Sequence, residues 1–399
     1  MLVLPGLAQP FSTPKLIFLV AFVGFGLLFA PQMLWSGWLS LPTRAQWVLL
    51  AWTSALALSS LLGEWVSLRT ILLHIGAVGW FLLVLELRQK REALARAVVL
   101  SASGVAAIAL LQFAKADPFG LAGWVSSVVG AERMRIYSTL GNPNFVGAFL
   151  AGVIPLTWMS CRGRQRFWVQ VALALQIVAL FATGSRGALL GLGGAALWFI
   201  LARARVRWRA AAVVAVLVAA TVLLLVGDRP LARSIEGRLY VGRVVTSGIA
   251  ECVLSGCGPG AFEAKYATWE TTWWRDNSAA GQSRRFAGLQ NHAHNDYLEI
   301  LVEDGALGLL AFLGLIGMAL VSARAKIRGG REPLLAGASA GIVALAAMAL
   351  VDFPFARPET LILFWTLLTF VVARPHGGEA HREVSAAKLT EEQGEEDEE

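Results

Sequence analysis

The chain is 399 residues long, 56% hydrophobic and 15% charged, with a formal net charge of +7. One soluble core of this size cannot bury so much apolar surface, so a soluble globular domain is excluded and a bilayer is the natural solvent for the excess. The basic residues sit in short clusters between apolar runs, which argues for membrane orientation and against nucleic-acid binding.

Apolar runs near the ~20-residue length of a span predict about eleven transmembrane helices. Their cores lie near 16–34, 46–62, 70–87, 94–114, 143–160, 167–183, 187–203, 209–227, 305–322, 334–352 and 359–373. Basic clusters follow alternate spans. They are Arg88, Lys90, Arg91 and Arg96; Arg162, Arg164 and Arg166; Arg203, Arg205, Arg207 and Arg209; and Arg324, Lys326, Arg328 and Arg331. Positive charge favours the cytoplasmic side, so parity puts these loops inside and the intervening loops outside. No basic leader precedes the first apolar run, which is expected to stay as a span, with the N-terminus outside.

Two outer segments exceed a turn: 115–142, and a long loop of about 228–293. The long loop carries Arg229, Arg233, Arg238, Arg243, Arg275, Arg284 and Arg285, and it is the natural place for an anionic ligand. Its stretch 233–254 reads as an amphipathic helix on the membrane surface. Trp269, Trp273 and Trp274 read as an interfacial aromatic belt. The expected organisation is one transmembrane domain over 1–374 with this loop inserted, then a disordered, acidic, cytoplasmic tail over 375–399.

The three cysteines exclude a disulfide scaffold, and no CxxC or His/Cys cluster suggests zinc. Cys252 and Cys257 share the outer loop, where a disulfide and two free thiols are both open readings. No Walker motif or acidic metal cluster is present, so no metal and no cofactor are expected.

Three constellations could carry chemistry. His292-Ala293-His294-Asn295-Asp296-Tyr297-Leu298-Glu299 ends the long loop. Asp296 and Glu299 have capping-box spacing, which predicts a helix starting just after His294. A neutral imidazole there suits a general base, although a histidine pair in a loop is also an ordinary surface feature. Arg186 lies in Thr183-Gly184-Ser185-Arg186-Gly187, a very short outer turn. Two readings of it stand: a bidentate phosphate ligand, or an arginine snorkelling to headgroups. Gly256-Cys257-Gly258-Pro259-Gly260-Ala261-Phe262 lacks the Lys-Ser/Thr of a P-loop and reads as a tight turn, with Arg243 and Arg238 just before it.

Four stretches together resemble the O-antigen ligase/polymerase superfamily of bacterial envelope enzymes. They are Leu140-Gly141-Asn142-Pro143-Asn144, the Arg186 turn, the glycine-rich stretch at 256–262, and His294-Asn295 followed by Gly305 and Gly308. The resemblance covers about 137–308; the first hundred residues match in hydropathy alone. It implies an all-α polytopic protein of about 11–12 transmembrane helices with GT-C-type architecture. It sits in the bacterial inner membrane, with the long periplasmic loop helping to form the site. The implied reaction moves a glycan from an undecaprenyl-diphosphate-linked donor to an acceptor hydroxyl at the periplasmic face. O-antigen ligation to lipid A–core, in lipopolysaccharide biosynthesis, comes first. A polymerase or a protein O-oligosaccharyltransferase differs in acceptor, and a polysaccharide-lipid transporter is the alternative from another class. By this resemblance His294 is the base. Arg186 and Arg243, with Arg238 as substitute, hold the donor diphosphate, and Asn295, Gly305 and Gly308 support the site. The implied mechanism is inverting and metal-independent.

Overall fold

The structure is a computed structural model that describes residues 11–121, 136–160, 166–202, 231–277, 285–288, 290–328 and 332–372. Among these residues helix is the sole regular secondary structure. In chain order the helices are α1 (Thr13–Phe29), α2 (Pro31–Leu39), α3 (Thr43–Leu62), α4 (Leu68–Leu85), α5 (Arg91–Phe113), α6 (Pro118–Leu121), α7 (Pro143–Met159), α8 (Arg166–Thr183) and α9 (Arg186–Ala202). After these come α10 (Leu231–Gly248), α11 (Phe262–Asp276), α12 (Asp296–Arg328), α13 (Pro333–Met348) and α14 (Pro358–Val372).

Four described stretches are long and apolar enough to cross a membrane: Thr43–Leu62, Leu68–Phe113, Arg166–Thr183 and Asp296–Arg328. The pair α1 and α2, bent by 95°, would make a fifth. This multi-pass arrangement agrees with the sequence reading, but the count falls below the expected eleven or twelve. The reason is length. α7, α9, α13 and α14 are apolar but have 17, 17, 16 and 15 residues. At 1.5 Å per residue such helices rise about 22–26 Å, less than a ~30 Å hydrocarbon core. Leu68–Phe113 also runs on through a 3₁₀ turn at Glu86–Lys90 and counts once. The expected span at 209–227 and the acidic tail lie outside the described residues.

Small residues bring the central helices together. A side chain on Gly341 of α13 would sit 2.2 Å from the Gly152 carbonyl of α7, so these helices touch backbone to backbone. Large apolar side chains turn outward instead, Leu28 and Leu61 among the most exposed. At one pole Arg91 pairs with Glu332 at 3.1 Å, joining two ends that charge parity puts on the cytoplasmic side. The N-termini of α1, α4, α7, α9, α12 and α14 gather at the other pole through contacts described below.

The long loop folds into a small unit with its own core. Tyr240, Val241, Val244 and Val245 of α10 pack with Phe262, Tyr266 and Trp269 of α11. This sharpens two expectations. One face of α10 meets aromatic side chains of α11, while Ile235 and Leu239 are exposed. Trp269 is buried, and Trp273 and Trp274 pack beside Tyr240 at 5.4 and 6.0 Å. These tryptophans contribute to the core of the unit.

The unit is fixed to the bundle. Cys252 and Cys257 are disulfide-bonded, which settles the open cysteine reading. The glycine-rich stretch is more than the expected turn. Its backbone is a strip stitched on both sides: Cys257 N–H donates to Val302 O (2.8 Å) and Gly258 N–H to Glu303 O (3.0 Å), while Trp65 N–H donates to Cys257 O (3.3 Å) and Ser67 N–H to Pro259 O (2.8 Å). Gly258 has φ +110°, and a Cβ there would lie 1.8 Å from the Trp65 carbonyl oxygen. Buried Lys265 adds ion pairs to Glu64 (2.7 Å) and Glu251 (2.9 Å).

Candidate active site

The chain enters α12 through His292-Ala293-His294-Asn295. Helix α12 starts at Asp296, as the sequence predicts, but the cap differs. Asn295 Oδ1 accepts from Leu298 N–H at 3.0 Å, so Asn295 caps the helix. Asp296 is occupied elsewhere: its Oδ2 accepts from Phe355 N–H at 2.8 Å, and its own N–H donates to Ala349 O at 2.9 Å. Glu299 reaches back, but to His292 Nδ1 (2.8 Å) and Ala293 N–H (2.9 Å). These bonds clamp the approach to the helix and dock it on the end of α13. Nine residues further on, Gly305 breaks α12 with φ 70° and ψ −174°, a conformation open essentially to glycine alone. A Cβ on Gly305 would lie 2.4 Å from Leu254 O, and one on Gly308 would lie 2.3 Å from Asp304 Cβ. Both glycines of the motif therefore act through close packing.

His294 itself has φ 51°, a left-handed conformation uncommon for a side chain of this size. The clamp on either side holds it there. Its Nδ1 lies 4.0 Å from Oδ1 of Asp352, a buried carboxylate between α13 and α14. Its ring sits edge-on to Phe353 at 5.2 Å, while His292 stacks flat on the same ring at 4.1 Å. Burial lowers the pKa of His294 below 6.5. Asp352 pulls it up, Arg238 and His292 push it down, and Glu299 pulls it up again. The imidazole is thus kept neutral near pH 7, with one nitrogen facing a carboxylate. Burial also raises the Asp352 carboxyl, which Phe353 N–H, His294, Arg238 and Arg357 oppose.

Arg186 occupies the first position of α9. Gly184 adopts φ +64° and Ser185 Oγ accepts from Ala188 N–H at 3.3 Å, so the Thr-Gly-Ser turn caps the helix and delivers Arg186 at its positive end. Arg238 comes from α10, half-buried, and its charge interacts with both Asp352 and Arg186. Burial and Arg186 push its pKa down and Asp352 pulls it up, but a guanidinium remains charged throughout. His294 and Arg238 both lie in the field of Asp352, and Arg186 interacts with Arg238. Five residues on an α-helix turn about 140°, so Arg238 and Arg243 leave α10 on different sides, Arg238 half-buried and Arg243 exposed.

Some neighbours were not singled out by the sequence reading. Asp352 lies just past the end of α13, outside every motif. Arg357 carried no motif; it lies over Phe145 at 4.0 Å and Phe353 at 5.1 Å. Behind the histidines, a cavity of about 40 Å³ is lined by Asp296, Glu299, Glu303, Asp304, His74 and Trp52, among others.

Residues 171–313 match a family model described as O-antigen ligase. This segment is similar to that family, which supports the O-antigen ligase/polymerase superfamily. The matched stretch holds Arg186, Arg238, Arg243, His294, Gly305 and Gly308. The match supports a coarse reading: a multi-pass membrane protein of the glycosyl-transfer type, with lipid-linked polysaccharide as its substrate class. No curated protein matches the chain.

Proposed function

We propose that this protein transfers a glycan from an undecaprenyl-diphosphate-linked donor to an acceptor hydroxyl at the periplasmic face, with O-antigen ligation to lipid A–core as the leading case. The observation that carries the reading is a left-handed His294 that shares the buried Asp352 carboxylate with Arg238, whose own neighbour is the guanidinium of Arg186 from a separate element.

The chemistry follows from the geometry. Asp352 faces Nδ1 of His294 and favours a proton there, leaving the Nε2 lone pair for the acceptor. As the acceptor oxygen attacks the anomeric carbon, Nε2 takes its proton and the bond from that carbon to the diphosphate oxygen breaks. Attack opposite the leaving group inverts the anomeric centre. The diphosphate gains negative charge as it leaves. Arg186, at a helix N-terminus, and Arg238 supply donors and positive charge where that charge develops. That is the electrostatic work a divalent cation does at many phosphate leaving groups, so the reaction is proposed to run without metal. The Cys252–Cys257 disulfide supports an oxidising, non-cytoplasmic location for the loop. A bundle of the GT-C type would give the polyprenyl chain a lipid-facing path.

The test uses purified full-length protein with undecaprenyl-diphosphate glycan and EDTA. Three acceptors are offered separately: lipid A–core, a second glycan-lipid and a pilin-like protein. Transfer to lipid A–core with anomeric inversion is the expected result; transfer to none of them sinks the enzyme reading. His294→Ala should abolish transfer in a folded, inserted protein, and full activity of that variant refutes the base.

A further inference from the structure

A second basic cluster includes Arg357, which lies over the Phe353 ring at 5.1 Å. Lys15 of α1, Arg69 of α4 and Arg357 before α14 meet around the single carboxylate of Glu359. Lys15 Nζ lies 3.6 Å from Glu359 Oε2 and donates to Thr139 O at 2.8 Å. Arg69 donates to Ser12 Oγ at 3.0 Å and shares the field of Glu359. Arg357 faces Glu359, Arg69, Glu299 and Asp352. The three helices pack on one another, and each points its N-terminus at the cluster: α1 from Thr13, α4 from Leu68, α14 from Pro358.

The local charge does not balance. Three cations and three helix N-termini converge on Glu359, while Glu299 is engaged by His292 and Ala293, and Asp352 is shared with His294 and Arg238. Arg357 Nε is buried and has no hydrogen-bond partner, and Glu359 Oε2 likewise has none. A partly buried guanidinium with an unmatched donor is costly unless an anion completes it. Arg357 also lies over the ring that His294 meets edge-on, so an anion on it would be bound close to the base.

We infer that Lys15, Arg69 and Arg357 form a phosphate-binding subsite for the acceptor. The acceptor would be an amphiphile whose phosphoryl group rests on this cluster while its hydroxyl meets His294; the identity of that amphiphile as acceptor rests on the function proposed above. Planar guanidiniums suit a phosphoryl group, and helix N-termini add donors and dipole. In the proposed reaction the donor diphosphate belongs to Arg186 and Arg238.

The experiment measures binding, not transfer. Full-length protein in detergent is incubated with dilauroyl phosphatidic acid, with uncharged dilauroylglycerol, or with geranylgeranyl diphosphate, and retained lipid is counted by native mass spectrometry. Wild type should retain phosphatidic acid well above dilauroylglycerol. Arg69→Gln with Arg357→Gln should lower phosphatidic acid retention about tenfold and leave geranylgeranyl diphosphate within about threefold. Arg186→Gln with Arg238→Gln should give the reverse pattern. Arg69→Gln alone guards against misfolding, because Arg69 is exposed, and should still reduce phosphatidic acid retention. Retention unchanged in the Arg69 and Arg357 variants overturns the inference. So does loss of geranylgeranyl diphosphate in them, which would make the cluster part of the donor site. The expected binding pattern without transfer to any acceptor would fault the proposed reaction and leave the phosphate subsite standing.

Discussion

Asp352→Asn isolates the role of the carboxylate beside the base. The substitution keeps the size of the side chain and the oxygen that accepts from Phe353 N–H at 3.0 Å, and it removes one negative charge 4.0 Å from His294 Nδ1. Two unit charges at that distance interact by about 1 kcal/mol in water and about 4 kcal/mol at an effective dielectric near 20. His294 is 37% exposed at its side chain, so the lower part of the range applies, about 1–2 kcal/mol. At 1.36 kcal/mol per unit this is about one pKa unit. The sign is fixed by the base mechanism. His294 must be neutral to accept a proton, so activity falls on the acid side as it becomes protonated. In wild type that limb lies below pH 6.5, because burial outweighs the pull of Asp352 and Glu299 and is helped by Arg238 and His292. Removing Asp352 lowers the pKa further, so the limb moves about one unit more acid. The maximal rate should also fall, on the order of tenfold, since a weaker base in a less fixed tautomer takes the proton. The assay is a pH profile of kcat/KM for glycan transfer in both proteins. A limb that stays in place, or moves toward alkaline pH, refutes the account of Asp352.

Other outcomes follow from the same geometry. Arg238→Ala should weaken donor binding by about 10- to 100-fold, the cost of a charge-assisted contact, and Arg243→Ala should change it little. Titration with geranylgeranyl diphosphate decides, and the opposite ranking would return the diphosphate to Arg243. Gly258→Ala puts a Cβ against the Trp65 carbonyl at positive φ, so it should cost about 3 kcal/mol or more and lower the melting temperature in detergent. Gly242→Ala, in α10 with nothing within 4 Å of an added Cβ, should hold or raise it. Equal melting temperatures for the two variants would refute the docking role of the strip.

What could be read from sequence was whatever a local rule governs. Apolar length marked every described bundle helix beyond the short α2 and α6, and a helix start after His294 was legible from polar residues before an apolar run. Even there the rule named the wrong group: Asn295 caps α12, because Asp296 is drawn to Phe355 N–H and Glu299 to His292. Capping preference ranks Asn and Asp nearly alike, so tertiary partners decided between them. The glycine-rich stretch looked like a turn because turns are what glycine does locally. That it is a strip held by Trp65 and Ser67 on one side and by Val302 and Glu303 on the other depends on segments about 190 and 45 residues away.

The candidate site divides along the same line. Arg186 and His294 stood out because each sits at the mouth of an apolar helix, where a charge or imidazole is conspicuous. Arg238 and Arg243 could not be ranked, since distance along the chain says nothing about which side of α10 meets the bundle. Once α10 lays Tyr240, Val241, Val244 and Val245 against α11, Arg238 borders that buried arc while Arg243, about 140° away, is exposed, which favours Arg238 as the donor ligand. Asp352 and Arg357 come from the connection after α13, outside every motif, and become meaningful only when Phe353 between them is seen to carry both histidines. The base, its carboxylate and both basic clusters thus share one short loop as their frame. A change in that loop should therefore disturb the base and the phosphate contacts together, whereas a change in α10 should disturb the donor side and, through Arg238, the base, leaving the cluster at Glu359 intact.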